Sequence, residues 1–354
     1  MNKRIFLILA LVAGISCISG CGQDEAIDQQ IPETKVIIED TNSSVTTDRT
    51  ENTANDVTDG TSVGNTTSPK TNDASLSLSD LSQVQFTFCS GAGGWTDDFS
   101  IFPDGYFMGN FVDSNMGETG EDYANGTVYC CDYTGHFSEP VKIDDLTYEI
   151  TLKDISYSKE VGEEELVWLE DLRYVYTGAY ALGGNKSFRI YMPGTPLAGF
   201  NEEIQSWFYG YGIEGTKLEN MIMVDEDNKY VISGYPKMEP SEDARITYNS
   251  YKQSVEYLMG LDGSTRAIDQ ARGMAYTNAD KCLNYIWTVM KYSVSEDEFK
   301  KILEEQRTWL KDRDKRAEEA SSEWEGGSFQ GVIYTESMVE STMERCEVLL
   351  GYIK

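Results

Sequence analysis

The chain has 354 residues, 40% of them hydrophobic, with 29 Lys and Arg against 60 Asp and Glu, for a net charge of −31. That excess of carboxylates repels phosphate backbones and argues against nucleic acid as a partner, whereas basic proteins and cations suit it. With one histidine, His136, and seven cysteines, there is little room for a His-rich zinc centre, and any Ser-His-Asp triad would have to use His136.

In chain order, residues 1–20 read as an export signal. Lys3 and Arg4 give the basic start, and Ile5–Ile15 forms an apolar core too short to span a bilayer. Ile18-Ser19-Gly20-Cys21 resembles the lipobox of bacterial lipoproteins. The resemblance implies that Cys21 becomes a fatty-acylated N-terminus and holds the protein on the outer face of the cell membrane. Residues 21–78 then read as a lipid-anchored, disordered tether. They contain no Trp, Phe or Tyr and from Asp40 are mostly Thr, Asn, Asp, Ser and Gly, too little apolar surface to offset the entropy of ordering. A flexible chain of that length reaches roughly 40 Å.

Residues 79–240 change character and carry 28 of the 60 acids against 9 bases. Short alternating runs of aromatic and β-branched residues predict strands at Val84–Phe88, Phe99–Phe102, Tyr106–Phe111, Thr127–Tyr133, Tyr148–Ile155, Phe188–Met192, Met221–Val224 and Tyr230–Ile232. Pro103-Asp104-Gly105 reads as a turn, Asp225–Asn228 as a hairpin loop and Asn201–Phe208 as a short helix. The pattern suits a β-rich, barrel-like or sandwich-like domain. Between two strands, residues 113–126 bring together Asp113, Glu118, Glu121 and Asp122 with three glycines, a weak calcium candidate. The EF-hand spacing fails, because Glu118 stands sixth and Ala124 twelfth. The plainer reading is a solvated acidic loop.

Residues 241–354 turn helical. Tyr248, Tyr251, Val255 and Met259 mark one face of a helix over Glu242–Met259. Ile268, Ala271, Met274 and Ala275 suggest a short piece, followed by a helix over Asp280–Tyr292. Ser295-x-x-Glu298 predicts a helix starting at Glu296, Gly326-Gly327 its break, and Ser337-x-x-Glu340 the cap of a last helix. The whole reads as an α+β multidomain chain, a β-rich middle domain followed by a small helical bundle.

Within this last part, Leu283-Asn284, Gln306, Trp309, Arg313-Asp314, Gly326-Gly327, Thr342 and Arg345 follow one another in an order that resembles the lysozyme inhibitor LprI-like family. The likeness covers a core of 278–354. It implies a small helical bundle, exported and usually disulfide-bonded, one class of which inhibits lysozyme. The family's usual cysteine places hold Ala317 and Met338 here, and Cys282 and Cys346 stand on the first and last helices as a replacement pair. Trp309, Arg313 and Asp314 read first as structural, with Arg313 pairing Asp314 or Asp280 to orient helices.

No pair of carboxylates is singled out by spacing for glycosidase chemistry. Cys130 and Cys131 lie on a strand leading to His136, a poor arrangement for a nucleophile and its base. As neighbours on a strand they point to opposite faces, so at most one can bridge to Cys89. We therefore expect a non-enzymatic surface lipoprotein without a cofactor. It would bind lysozyme or another basic protein and inhibit a cationic wall hydrolase. The alternative is a structural lipoprotein, or one that holds glycan or protein on exposed Tyr and Trp.

Overall fold

The computed structural model describes residues 75–90, 94–184, 186–211, 213 and 215–354. The export signal, Cys21 and nearly all of the tether lie outside the described residues.

Alternation builds the first strand directly. In β1 (Val84–Cys89), Phe86 and Phe88 are fully buried while Gln85 faces out. An antiparallel meander follows through β2 (Trp95–Ile101), β3 (Tyr106–Asn115) and β4 (Gly126–Phe137). Gly105 makes the β2–β3 turn at φ 88°. The meander continues through β6 (Thr147–Tyr157), β9 (Ser187–Tyr191), β10 (Ile222–Asp225) and β11 (Tyr230–Pro236). Strand β11 then pairs with β1, Val84 opposite Pro236, and β4 pairs with β6, so eight strands close into a barrel. The middle domain is thus a barrel and not a sandwich.

The barrel interior is solid. Phe86, Phe99, Phe107, Phe137, Phe188, Ile150, Ile190 and Ile232 fill it, as side chains do in a small eight-stranded barrel. Packing is tight enough to require glycine at position 135. A Cβ there would stand 2.1 Å from the Asp154 carbonyl oxygen and 2.6 Å from Phe107.

Segment 177–184 runs from the barrel wall into its core, burying Ala179, Ala181 and Leu182. It is held there by Asp97, whose fully buried carboxylate accepts the Ala181 N–H at 2.6 Å and the Tyr133 hydroxyl. Burial pushes the Asp97 carboxyl up to about 7.

Strand β4 changes partner along its length. Tyr133–Phe137 pairs antiparallel with β6, while Gly126–Cys130 pairs parallel with β8 (Leu172–Tyr176), which carries β7 (Glu164–Val167) on its far side. A two-residue strand, β5 (Val141–Lys142), edges β6. Strands β7 and β8 were not expected. Their sequences, EELV and LRYVY, are short and carry charges that blur the alternation.

Four long helices follow: α3 (Pro240–Met259), α4 (Thr265–Ser293), α5 (Glu296–Ser321) and α6 (Gln330–Leu350), after α1 (Leu78–Leu81) and α2 (Glu202–Tyr211). Two sequence expectations are corrected here. The piece at Ile268 and the helix at Asp280 are one helix, α4, because nothing between them breaks it and Ala271, Met274, Ala275, Asn278, Ala279 and Cys282 continue one buried face. The last helix starts at Gln330, not after Ser337, because Val332 already belongs to its buried face. Ser295 does cap α5, its hydroxyl accepting the Glu298 N–H.

Helices and barrel share an apolar cluster. Val112, Val128 and Cys130 on the outside of the barrel, with Val167, Tyr174 and Tyr176, meet Val255, Leu258, Met274, Ala275, Ala279 and Val339. Polar ties frame it. Lys281 pairs with Asp132 at 2.8 Å, and Tyr292 stacks on Phe102 at 4.8 Å while donating to Asp104 at 2.6 Å. The bundle also has its own core around Leu283, Ile286, Trp287 and Leu349.

Candidate binding cleft

Helix α5 carries Gln306, Trp309 and Arg313 at spacings of three and four, which places them along one face. Gln306 is fully buried, and its Oε1 accepts the Nε–H of Arg345 from α6 at 2.7 Å. The Trp309 ring lies beside two guanidinium groups, Arg313 at 5.2 Å and Arg345 at 6.0 Å from its centroid, within cation–π range. Arg313, 4% exposed, donates Nε and Nη2 to Asp314 Oδ1 at 3.0 and 2.9 Å.

Asp280 on α4 completes the group. Burial raises its carboxyl to about 6, while the charge of Arg313 and the Asn284 amide at 3.0 Å oppose that rise. Thr342 is fully buried on α6 and Leu283 sits in the bundle core. Gly326, at φ 74°, and Gly327 form the turn between α5 and α6 and contribute no side chain. Of the motif residues, Gln306, Arg313, Thr342 and Arg345 are thus buried in the bundle, while Trp309 is half-buried at its edge.

Beside this core lies an open cleft of about 490 Å³. Trp309 and Arg345 line it together with Glu304, Glu305, Asp312 and Arg316. The three acids are exposed, so the cleft offers an aromatic surface edged by carboxylates. The guanidinium groups of Arg316 and Arg345 share that lining.

Other sequence candidates are separated by the fold. The calcium set is not assembled. Arg173 ion-pairs with Glu118, whose other oxygen accepts the Tyr129 hydroxyl at 2.6 Å, and Asp113 lies within β3 opposite Tyr129. Among the described residues, no group of three His, Cys, Asp or Glu is placed to hold a metal ion. The melting temperature in a thermal scan should therefore be the same with millimolar calcium or with a chelator.

Cys282 and Cys346 do meet. Both are fully buried, and the two thiols contact each other across α4 and α6; the hydrogen bond that the Cys346 thiol donates to Cys282, together with burial, raises it. Both stand as thiols in this structure, side by side where the replacement pair was expected. A bridge from Cys89 to Cys130 or Cys131 is ruled out by topology. Strands β2 and β3 separate β1 from β4, and three strand spacings of about 4.8 Å exceed the Cα separation a disulfide spans. As expected from alternation, Cys131 faces the barrel core and Cys130 the helices. His136, on the outer face of β4, sits 3.0 Å from Asp154.

Two features of the barrel were missed by the sequence reading, the buried Asp97 and a group of aromatic rings at one barrel end. Both depend on pairing between strands distant in the chain, for which a local pattern carries no signal.

The architecture is that of an eight-stranded barrel carrying a four-helix bundle whose apolar core is flanked by the buried Gln306–Arg345 pair. Residues 261–349, within that bundle, match the family model described as lysozyme inhibitor LprI. The match runs from just before α4 almost to the end of α6 and does not include the barrel. It points to a lysozyme-inhibitor-like role for the helical part. No curated protein and no solved structure matches the chain.

Proposed function

We propose that this protein is a lipid-anchored envelope protein that binds a cationic wall hydrolase of the lysozyme type and inhibits it through the helical bundle. The match over residues 261–349 carries this reading. The cleft of Trp309, Glu304, Glu305 and Asp312 and the net charge of −31 support it. Long-range attraction steers a basic enzyme toward the surface, and shape complementarity at the aromatic floor slows release. The lipobox-like run ending at Cys21 supports anchoring at the outer face of the membrane, where such an enzyme is met; mass spectra of the membrane fraction should show an acylated Cys21.

The test is titration of the full chain into lysozyme, with turnover of a small soluble substrate as the readout. Turnover should fall at near-stoichiometric ratios. Association should slow as salt rises, because the screening length shrinks from about 10 Å at 0.1 M to about 3 Å at 1 M. Joint replacement Glu305→Lys and Asp312→Lys, both at exposed positions, should weaken inhibition about tenfold or more while leaving the fold intact. Unchanged turnover at excess protein would sink the inhibitor reading.

A further inference from the structure

Five aromatic rings gather at the end of the barrel where β1 finishes and β2 begins. The buried Phe88 ring lies 4.8 Å from Trp95, 5.3 Å from Tyr180, 5.1 Å from Trp207 and 5.0 Å from Tyr230, centroid to centroid. The other four form a closed circuit. Trp95–Tyr180 is 4.9 Å, Tyr180–Tyr230 5.5 Å, Tyr230–Trp207 6.1 Å and Trp207–Trp95 6.4 Å. They stand tilted to Phe88 by 33° to 59°, as walls to a floor. None of the four walls is fully buried, and Tyr180 is 39% exposed.

The walls come from four places in the chain: β2, the segment after β8, α2 and the start of β11. Tertiary folding alone assembles them. Two tryptophans and two tyrosines left partly open to water around one point are more than core packing requires. A carboxylate completes the set. Asp113 is the cross-strand partner of Trp95, and its charge acts on the Tyr180 hydroxyl.

Phe88 is nearly equidistant from the four wall centroids. The four rings are thus grouped about one centre, with neighbouring walls 4.9 to 6.4 Å apart, a spacing on the scale of the roughly 6 Å range of cation–π attraction. The geometry points to a binding site for an organic cation, an alkylated ammonium group seated within the Trp95–Tyr180–Tyr230–Trp207 ring and balanced by Asp113. Convergence on one point suits a compact onium group better than a flat sugar ring, which needs a broad open face. The surplus of acids over residues 79–240 favours positive charge in the same way.

The full chain should be titrated with choline and tetramethylammonium, following tryptophan fluorescence and heat. Two comparison probes are 3,3-dimethylbutan-1-ol, the neutral isostere of choline, and a chitin oligosaccharide. The onium ions should give a saturable response, with the neutral isostere about tenfold weaker or less bound still. Tyr180→Leu and Asp113→Asn should each weaken choline about threefold or more, with the melting temperature unchanged. Absence of saturation, equal binding of the isostere, or binding of the oligosaccharide alone would each overturn the proposal. The ligand selectivity of the unaltered protein decides the matter even if a variant misfolds. Because the probe is a small ion, the result is independent of lysozyme inhibition.

Discussion

The Asp97→Asn variant is expected to melt several degrees above the unaltered protein at pH 8, with the difference closing as pH falls from about 7 to about 4. The carboxyl is fully buried in the barrel, and its pKa is raised from 3.8 to about 7. Burial is the main cause. The bonds from the Ala181 N–H and the Tyr133 hydroxyl oppose it, and the neighbouring Asp98 charge adds to it. A raised pKa means that the folded state holds the proton more tightly than the unfolded state. The stabilising contribution is therefore complete below about 3.8 and is lost as pH rises through about 7. At roughly 1.4 kcal/mol per pKa unit, the loss is on the order of 4 kcal/mol. Asparagine keeps an acceptor in place and never ionises, so it avoids this loss. Asp97→Ala should instead destabilise at every pH, because the Tyr133 hydroxyl and the Ala181 N–H would each lose a buried partner, at about 1–3 kcal/mol apiece. Thermal melts of the three proteins across pH check this. A constant gap between the asparagine variant and the parent would refute the account.

Arg345→Met should lower the unfolding free energy by about 1–3 kcal/mol in urea titrations. Arg345 is 7% exposed and donates to the fully buried Gln306. Removing it leaves that amide oxygen without its donor and takes away a cation beside Trp309. Gln306 Nε2, Thr342 Oγ1 and Arg345 Nη2 are already buried without a hydrogen-bond partner among the described residues. The network is thus costly to keep, and replacing both partners should be milder than breaking one. Arg345→Met combined with Gln306→Leu is expected to recover part of the loss. Full stability in Arg345→Met together with lost inhibition would mean that Arg345 contacts the partner and does not hold the bundle.

Much of the fold was legible because short-range periodicity wrote it. The VQFTF alternation, the Pro103-Asp104-Gly105 turn and the Ser295 cap each follow from residues within a few positions of one another. Of the candidate cleft, only Trp309 and Arg345 stood out in the sequence, as members of an order resembling a known helical family and read as structural, whereas the carboxylates at its edge carried no local signal. What escaped depends on long-range pairing. Barrel closure rests on β1 meeting β11, and the partner change of β4 rests on β8, whose charged sequence does not announce a strand. The α4 helix was cut in two because its middle, Tyr276-Thr277-Asn278, lowers helix propensity locally, while burial of Asn278 and Ala279 overrides it. The weak calcium candidate does not gather into a cluster among the described residues, because Arg173, distant in sequence, claims Glu118.

Closure of the barrel by Val84 opposite Pro236 also has a kinetic side. Contacts within the helical bundle lie closer in sequence than this seam and can form early, whereas the β1–β11 seam must wait for its two distant segments to meet. Until then β1 presents VQFTFC as an unpaired edge, apolar on alternate residues and without charge. Such an edge invites pairing with a second chain. During synthesis β1 emerges first and β11 only after the other barrel strands, so the exposed interval is set by chain order. Protecting that edge until β11 arrives is the task that this topology hands to the cell's holding chaperones.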